Sequence, residues 1–167
     1  TRIEGFSNSF GDSGSTAISV FVAQNRGAGD KKRALKGFHQ GLGLMIVFVI
    51  ILSALQAALT RGAVQLLMGN PSETVMKNAV LYMNVVSVFY ILNFIGNAGV
   101  GFFRGIGDLK VTLMSSFTNM AVRVIAAAPM ILLWNFGIEA LPYSYLAGWV
   151  AMLLVETPLM IRIYRKK

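Results

Sequence analysis

Residues 21–34, FVAQNRGAGDKKRA, close one apolar stretch, turn on Gly27 and Gly29, and open the next stretch with clustered positive charge. A shorter copy follows at 102–112, FFRGIGDLKVT, so Arg-Gly-x-Gly-Asp stands at both 26–30 and 104–108. Two hydrophobic stretches ending in the same basic, glycine-punctuated loop predict a membrane protein built on a repeated helical hairpin. In each loop the glycines are placed to end one helix. The Asp after the second Gly, Asp30 or Asp108, is placed to cap the next.

Composition supports the membrane reading. Hydrophobic residues make up 55% of the 167 and charged residues 13%, whereas a soluble domain carries about 25% charged residues. Mean hydropathy is +0.63. The 17 glycines suit helices that pack backbone to backbone in lipid. With no cysteine, disulfide frameworks and thiolate chemistry are excluded. The net charge of +8 could suggest nucleic acid, but eleven of the fifteen Lys and Arg fall within 26–36, at 104 and 110, and within 162–167. Each group flanks an apolar run, as the positive-inside rule expects of cytoplasmic loops. No aromatic-interleaved basic face accompanies them, so no nucleic-acid partner is expected. The chain begins at Thr1 with neither an initiator Met nor a signal-peptide pattern, and is expected to be part of a longer polytopic protein.

Five segments approach the roughly 20 residues that a membrane span needs, at about 3–25, 35–59, 75–103, 111–134 and 141–163. The fold expected is all-α: a polytopic bundle with the N-terminus outside, both basic loops inside and the C-terminus cytoplasmic. Asn70-Pro71-Ser72-Glu73 reads as an N-cap, a Pro at the first helical position and a Glu three residues after the cap. Asn135-Phe136-Gly137 ends the fourth segment, and Pro142 opens the fifth. Pro129 is expected to kink the fourth segment.

Enzymatic motifs fail. Gly27-Ala28-Gly29 lacks both a third glycine and the Lys-Ser/Thr of a phosphate loop. Gly11-Asp12-Ser13-Gly14 resembles a serine nucleophile segment, but His39 is the chain's one histidine and belongs near the inner surface, away from Ser13. No metal-ligand cluster or cofactor motif is present, so neither an enzyme nor a cofactor is expected.

The informative residues are polar ones inside apolar segments, where a charge at a helix centre costs about 2.5–3.5 kcal/mol on insertion scales. Glu4, Asn8 and Asp12 recur at steps of four and share one helical face. Counted from the inner loop, Asp12 falls near the midplane, where a carboxylate needs a cation, a proton or water. Asn93 and Asn97 repeat the spacing, as interhelical hydrogen-bonding glue or as part of a site. So do Asn119 and Arg123, with Arg123 expected to form a structural pair with Asp12 or Glu156 or to face the substrate path.

At this point the chain resembles a known family. Gln24-Asn25-Arg26-Gly27-Ala28-Gly29-Asp30 followed by Arg33-Ala34 is similar to the GQN-x-GAG-x-x-x-RA loop of multidrug and toxic compound extrusion (MATE) transporters. Phe103-Arg104-Gly105-Ile106-Gly107-Asp108-Leu109-Lys110 resembles that family's LRGxGDTK loop. Arg123 in AVRVIAAAP and Arg2-Ile3-Glu4 resemble further segments of its second half. The resemblance implies most of the C-terminal lobe of a twelve-helix transporter, partnered by an N-terminal lobe and by membrane lipids. It also implies export of cationic, amphipathic small molecules across the bacterial inner membrane in exchange for protons or sodium ions. Glu4, Asn8, Asp12, Asn93, Asn97 and Arg123 are then the candidate substrate- and cation-binding residues. Gln24, Asn25, Gly27, Gly29, Asp30, Arg104, Gly105, Gly107 and Asp108 are structural loop residues. Asn93 stands about where several members carry a cation-binding Asp, which leaves Glu4 and Asp12 as the coupling candidates. A lipid-linked oligosaccharide flippase of the same broader superfamily and a non-transporting scaffold are the alternatives. The first needs several cavity-facing cations and the second needs the polar residues paired and inaccessible.

Overall fold

The computed structural model describes residues 2–69, 71–132, 137 and 140–165, and the side chains at 2–4, 6 and 164–165 fall outside that description. Five helices follow in order: α1 (Arg2–Gly27), α2 (Lys31–Met68), α3 (Glu73–Gly105), α4 (Leu109–Leu132) and α5 (Ala140–Arg165). Among the described residues the fold is all-α. Helices α2 to α5 are long and apolar enough to cross a membrane. The 26-residue α1 has the length but is the polar exception.

The two repeated loops are built alike. Gly29 and Gly107 take left-handed φ values of 78° and 77°. Asp30 N–H donates to Asn25 O at 2.9 Å, and Asp108 N–H to Phe103 O at 2.9 Å. This is the six-to-one closure that satisfies the carbonyls of a helix end. The same Asp then starts the next helix. Asp30 Oδ1 accepts Arg33 N–H at 2.9 Å, and Asp108 Oδ1 accepts Val111 N–H at 3.4 Å. One residue thus closes one helix and opens another, so each hairpin reverses without a longer loop.

Other boundaries differ from the sequence reading. Helix α2 runs on to Met68 rather than ending near 59, because Arg61 interrupts hydropathy without breaking the backbone, and Gly69 at φ 72° supplies the stop. Helix α3 is capped by Ser72, whose Oγ accepts Val75 N–H at 3.4 Å. Pro71 therefore precedes the helix, and Asn70, expected to be the cap, lies outside the described residues. Asn135 and Phe136, expected to end the fourth segment, also lie outside them. Helices α4 and α5 continue through Pro129 and Pro158.

Small residues set how the helices approach. A Cβ on Gly101 would collide with the Ser15 carbonyl oxygen, and one on Gly105 would stand 2.7 Å from Ser19 O. With Gly11 against Asn97, these pairs keep a constant offset of 86, so α1 and α3 run parallel with backbones nearly touching. Met45 and Ile18 fill the spaces left by Gly14 and Gly41 across the antiparallel α1–α2 seam. Helix α3 is the hub, packed against all four others. Its Tyr82, Val86, Tyr90, Phe94, Phe102 and Phe103 are buried. The outer faces of α2 (Leu44, Ile50, Ile51, Leu59) and α4 (Leu113, Phe117, Val124, Ile125) are exposed and apolar, as surfaces meeting lipid should be.

Candidate functional site

Helix α1 divides its two faces by size and polarity. Gly11, Ser15, Ile18, Ser19 and Val22 are buried against α2 and α3, whereas Asn8, Ser9, Asp12, Ser13 and Thr16 are exposed. The exposed hydroxyls are satisfied within the helix: Ser9 donates to Gly5 O, Ser13 to Ser9 O and Thr16 to Asp12 O, at 2.8–2.9 Å. The Asp12 carboxylate has no hydrogen bond or ion pair among the described residues. An open carboxylate beside a ladder of hydroxyls is a surface for water or a cation, since lipid would leave that charge unsolvated.

Helix register also fixes what Asp12 stands beside. Because α1 overshoots the end of α3, Asp12 is level with Ala98, about 11 Å from the loop end of α3 at 1.5 Å per residue.

Asn8, one turn further from the loops, connects α1 to α3. Asn93 Nδ2 donates to Asn8 Oδ1 at 3.1 Å, and Asn97 Nδ2 donates to Asn93 Oδ1 at 3.0 Å. Asn93 is buried, so this amide chain is both interhelical glue and the polar wall beneath the open face of α1. Asn8 also lines a pocket of about 110 Å³ with Tyr90, Arg123, Tyr145 and Trp149. Three of the six candidates, Asn8, Asn93 and Asn97, are thus directly joined, and Arg123 shares the pocket with Asn8. Asp12 stands a turn away on the open face. The side chain of Glu4 lies outside the described residues.

The expected ion pair of Arg123 is not formed. Among the described residues no ion pair joins it to Asp12 or Glu156; instead its guanidinium carbon lies 3.7 Å above the centre of the Tyr145 ring. The reason is register. Gly148 leaves the room that the Arg123 stem occupies, which fixes Arg123 opposite the Tyr145 turn of α5. Glu156 is about three turns further along α5 than Tyr145 and faces Ser115 instead. Tyr145 stacks in turn on Trp149 at 5.7 Å. Arg123 is half-buried, so a cation over an aromatic face here gains about 0.5–2 kcal/mol. The sequence reading missed this aromatic wall, although Tyr145 and Trp149 stand four apart and so share a face.

The two loop motifs lie together at the other end, where Arg26 Nη1 is 3.9 Å from the Cβ position of Gly107. Their residues make caps and turns there, remote from the asparagine cluster.

Residues 1–130 match the MatE family model. The chain belongs to the MatE family. Its helices and this membership make it a multi-pass membrane protein. The fold is also similar to a solved structure described as the inward-facing conformation of a multidrug resistance MATE family transporter of the MOP superfamily. That likeness has a TM-score of 0.74 and 21% identity, covering 88% of this chain and 33% of the other. The chain therefore spans about a third of the length of the transporter it matches. No curated protein matches it in sequence. Membership places the chain in a transporter family rather than an enzyme family.

Proposed function

We propose that this MatE chain forms most of the C-terminal lobe of a secondary transporter that expels cationic, amphipathic small molecules in exchange for protons or sodium ions. One observation carries the proposal: in a bundle whose outer surfaces are apolar, the exposed face of α1 is polar and holds a carboxylate, Asp12, that is unpaired among the described residues. A partner lobe of the same transporter would close over that face and make it one wall of an aqueous cavity. A cationic substrate and the coupling ion would then compete for Asp12, with Glu4 as the second coupling candidate. Differential affinity of this kind is what shifts an inward–outward equilibrium. Arg123 lies about 21 Å from the start of α4, beyond the asparagine cluster, so its charge favours holding a cation at the Asp12 level. Asn8, Asn93 and Asn97 supply neutral hydrogen-bonding groups between the two. By the positive-inside rule the basic loops and the C-terminus face the cytoplasm, and the family resemblance points to the bacterial inner membrane.

The test replaces Asp12 and Glu4 singly with Asn in the full-length transporter, reconstituted in vesicles with an imposed proton or sodium gradient. Gradient-driven efflux of a fluorescent lipophilic cation should fall at least tenfold in one or both variants. Unchanged efflux and unchanged ion dependence in both would remove these carboxylates from the mechanism. The flippase reading is less well supported, because Arg123 is the one cation among the described residues lining the pocket beside Asn8.

A further inference from the structure

Helix α3 borders two gaps of different chemistry. Among the described residues α1 does not pack on α4 or α5, and α2 does not pack on α5. The first gap holds the pocket of Asn8, Tyr90 and Arg123, with Asn93 turned toward Asn8. Ile95 and Gly99 stand two residues from Asn93 and Asn97, just over half a turn around the helix. They floor the second gap, on the opposite side of α3.

That second gap is a slot of about 260 Å³ between α2 and α5, walled by Phe38, Leu42, Leu153, Met160 and Ile161. Glu156 does not make it polar. Its carboxyl fills the niche over Gly99, where a Cβ would collide with Oε2, and Oε1 is sealed within the protein. The slot's volume is that of about nine waters. It has room for one chain of methylenes and is far too small for a helix about 10 Å across.

The α2 wall continues toward the loop and changes character on the way. Leu42, Phe38, Leu35 and Lys31 follow at steps of four, three and four, so they share one face. Lys31 and Lys32 are exposed where the helix begins, and Lys32 is about 15 Å from the level of Leu42. Arg33 and Lys36 add two exposed cations beside them. Asp30, the neighbouring carboxylate, accepts the Arg33 N–H. A hydrocarbon slot surmounted by cations is complementary to an amphiphile with a negative head, and basic clusters at the end of a membrane helix attract anionic lipid.

We propose that this groove holds one anionic phospholipid, its phosphate against Lys31 and Lys32 and one acyl chain in the slot between α2 and α5. The site lies across α3 from the asparagine cluster and does not depend on the transport reading.

The experiment places a tryptophan reporter in the full-length transporter by Ile161→Trp, at the exposed rim of the slot. The protein is held in phosphatidylcholine nanodiscs containing a minor share of lipid brominated along one acyl chain, either phosphatidylglycerol or phosphatidylcholine. Quenching added by the reporter over the parent protein is measured. Brominated phosphatidylglycerol should quench at a mole fraction at least fivefold lower than brominated phosphatidylcholine. Lys31→Gln with Lys32→Gln should bring the two lipids to parity while leaving phosphatidylcholine unchanged. Both lysines are exposed, so this variant should fold. Phe117→Trp, on the apolar outer face of α4, should show no preference between the headgroups. An equal preference at both reporters would mean general attraction to a basic protein, and overturns the proposal. So does a preference that survives loss of both lysines. Absence of quenching by either lipid at position 161 would mean that protein fills the slot, and overturns it as well.

Discussion

Gly101→Ala adds one methyl group where α1 and α3 touch backbone to backbone. The new Cβ would stand 3.0 Å from the Ser15 carbonyl carbon and 3.1 Å from its Cα, and closer still to the oxygen. Ordinary carbon contacts lie at about 3.5–4.0 Å, so the helices must part by about 0.5–1 Å along this row. The obstacle is backbone, which cannot swing aside as the end of a side chain can. Overpacking of this kind costs about 1–3 kcal/mol, against a gain of about 0.8–1.0 kcal/mol for Ala over Gly inside a helix. Gly43→Ala is the matched control, because a Cβ there meets nothing within 4 Å and keeps the helix gain alone. The gap between the two variants isolates the clash, and should be about 1–3 kcal/mol, with Gly101→Ala the less stable. Unfolding of the purified full-length protein by SDS titration in mixed micelles measures it. Equal stability of the two variants would refute the close approach, and with it the constant offset that positions Asn8 on Asn93. The separation should also stretch the 3.1 Å Asn93–Asn8 bond, so transport should weaken in the same variant.

Three further outcomes follow from the geometry. Asp30→Ala should destabilise by about 1 kcal/mol through loss of the N-cap. It should speed hydrogen exchange at the Arg33 amide, whereas Asp108→Ala, whose cap bond is 3.4 Å rather than 2.9 Å, should do less at Val111. A double-mutant cycle of Arg123→Gln with Tyr145→Ala should return a coupling of about 0.5–2 kcal/mol, and no coupling would mean that Arg123 is held by something other than the ring. Asn93→Asp exchanges the donor to Asn8 for a second acceptor while still accepting from Asn97. Its stability should therefore rise with added sodium or falling pH more steeply than the parent's, and a parallel response of the two proteins would count against the amide chain as drawn.

Much of the fold was legible because its signals are local. Apolar run length marks the segments, and the repeated Arg-Gly-x-Gly-Asp marks two helix ends. Asp30 and Asp108 could be read as caps because a cap bonds residues three apart. The misread boundaries were also local, but they turned on competing signals. Ser72 captured the cap role that Asn70-Pro71 suggested, and Arg61 lowered hydropathy without ending α2. At the site, steps of four placed Asn93 with Asn97 and Asn8 with Asp12, because periodicity reports which residues share a face of one helix. It says nothing about what another helix brings to that face.

The sequence by itself determined that this chain is a bundle of membrane helices with two matched basic turns, and which polar residues a lipid environment would have to accommodate. Tertiary structure decided their partners. Ser15 and Ser19 opposite Gly101 and Gly105 set the α1–α3 register, which put Asn8 on Asn93 and left Asp12 open. Gly148 put Arg123 on Tyr145 instead of on a carboxylate, and Gly99 made the space into which Glu156 folds without a counter-charge. The physical reason is that interhelical register is chosen by where small residues let backbones approach, a sum over two distant stretches that neither stretch encodes alone.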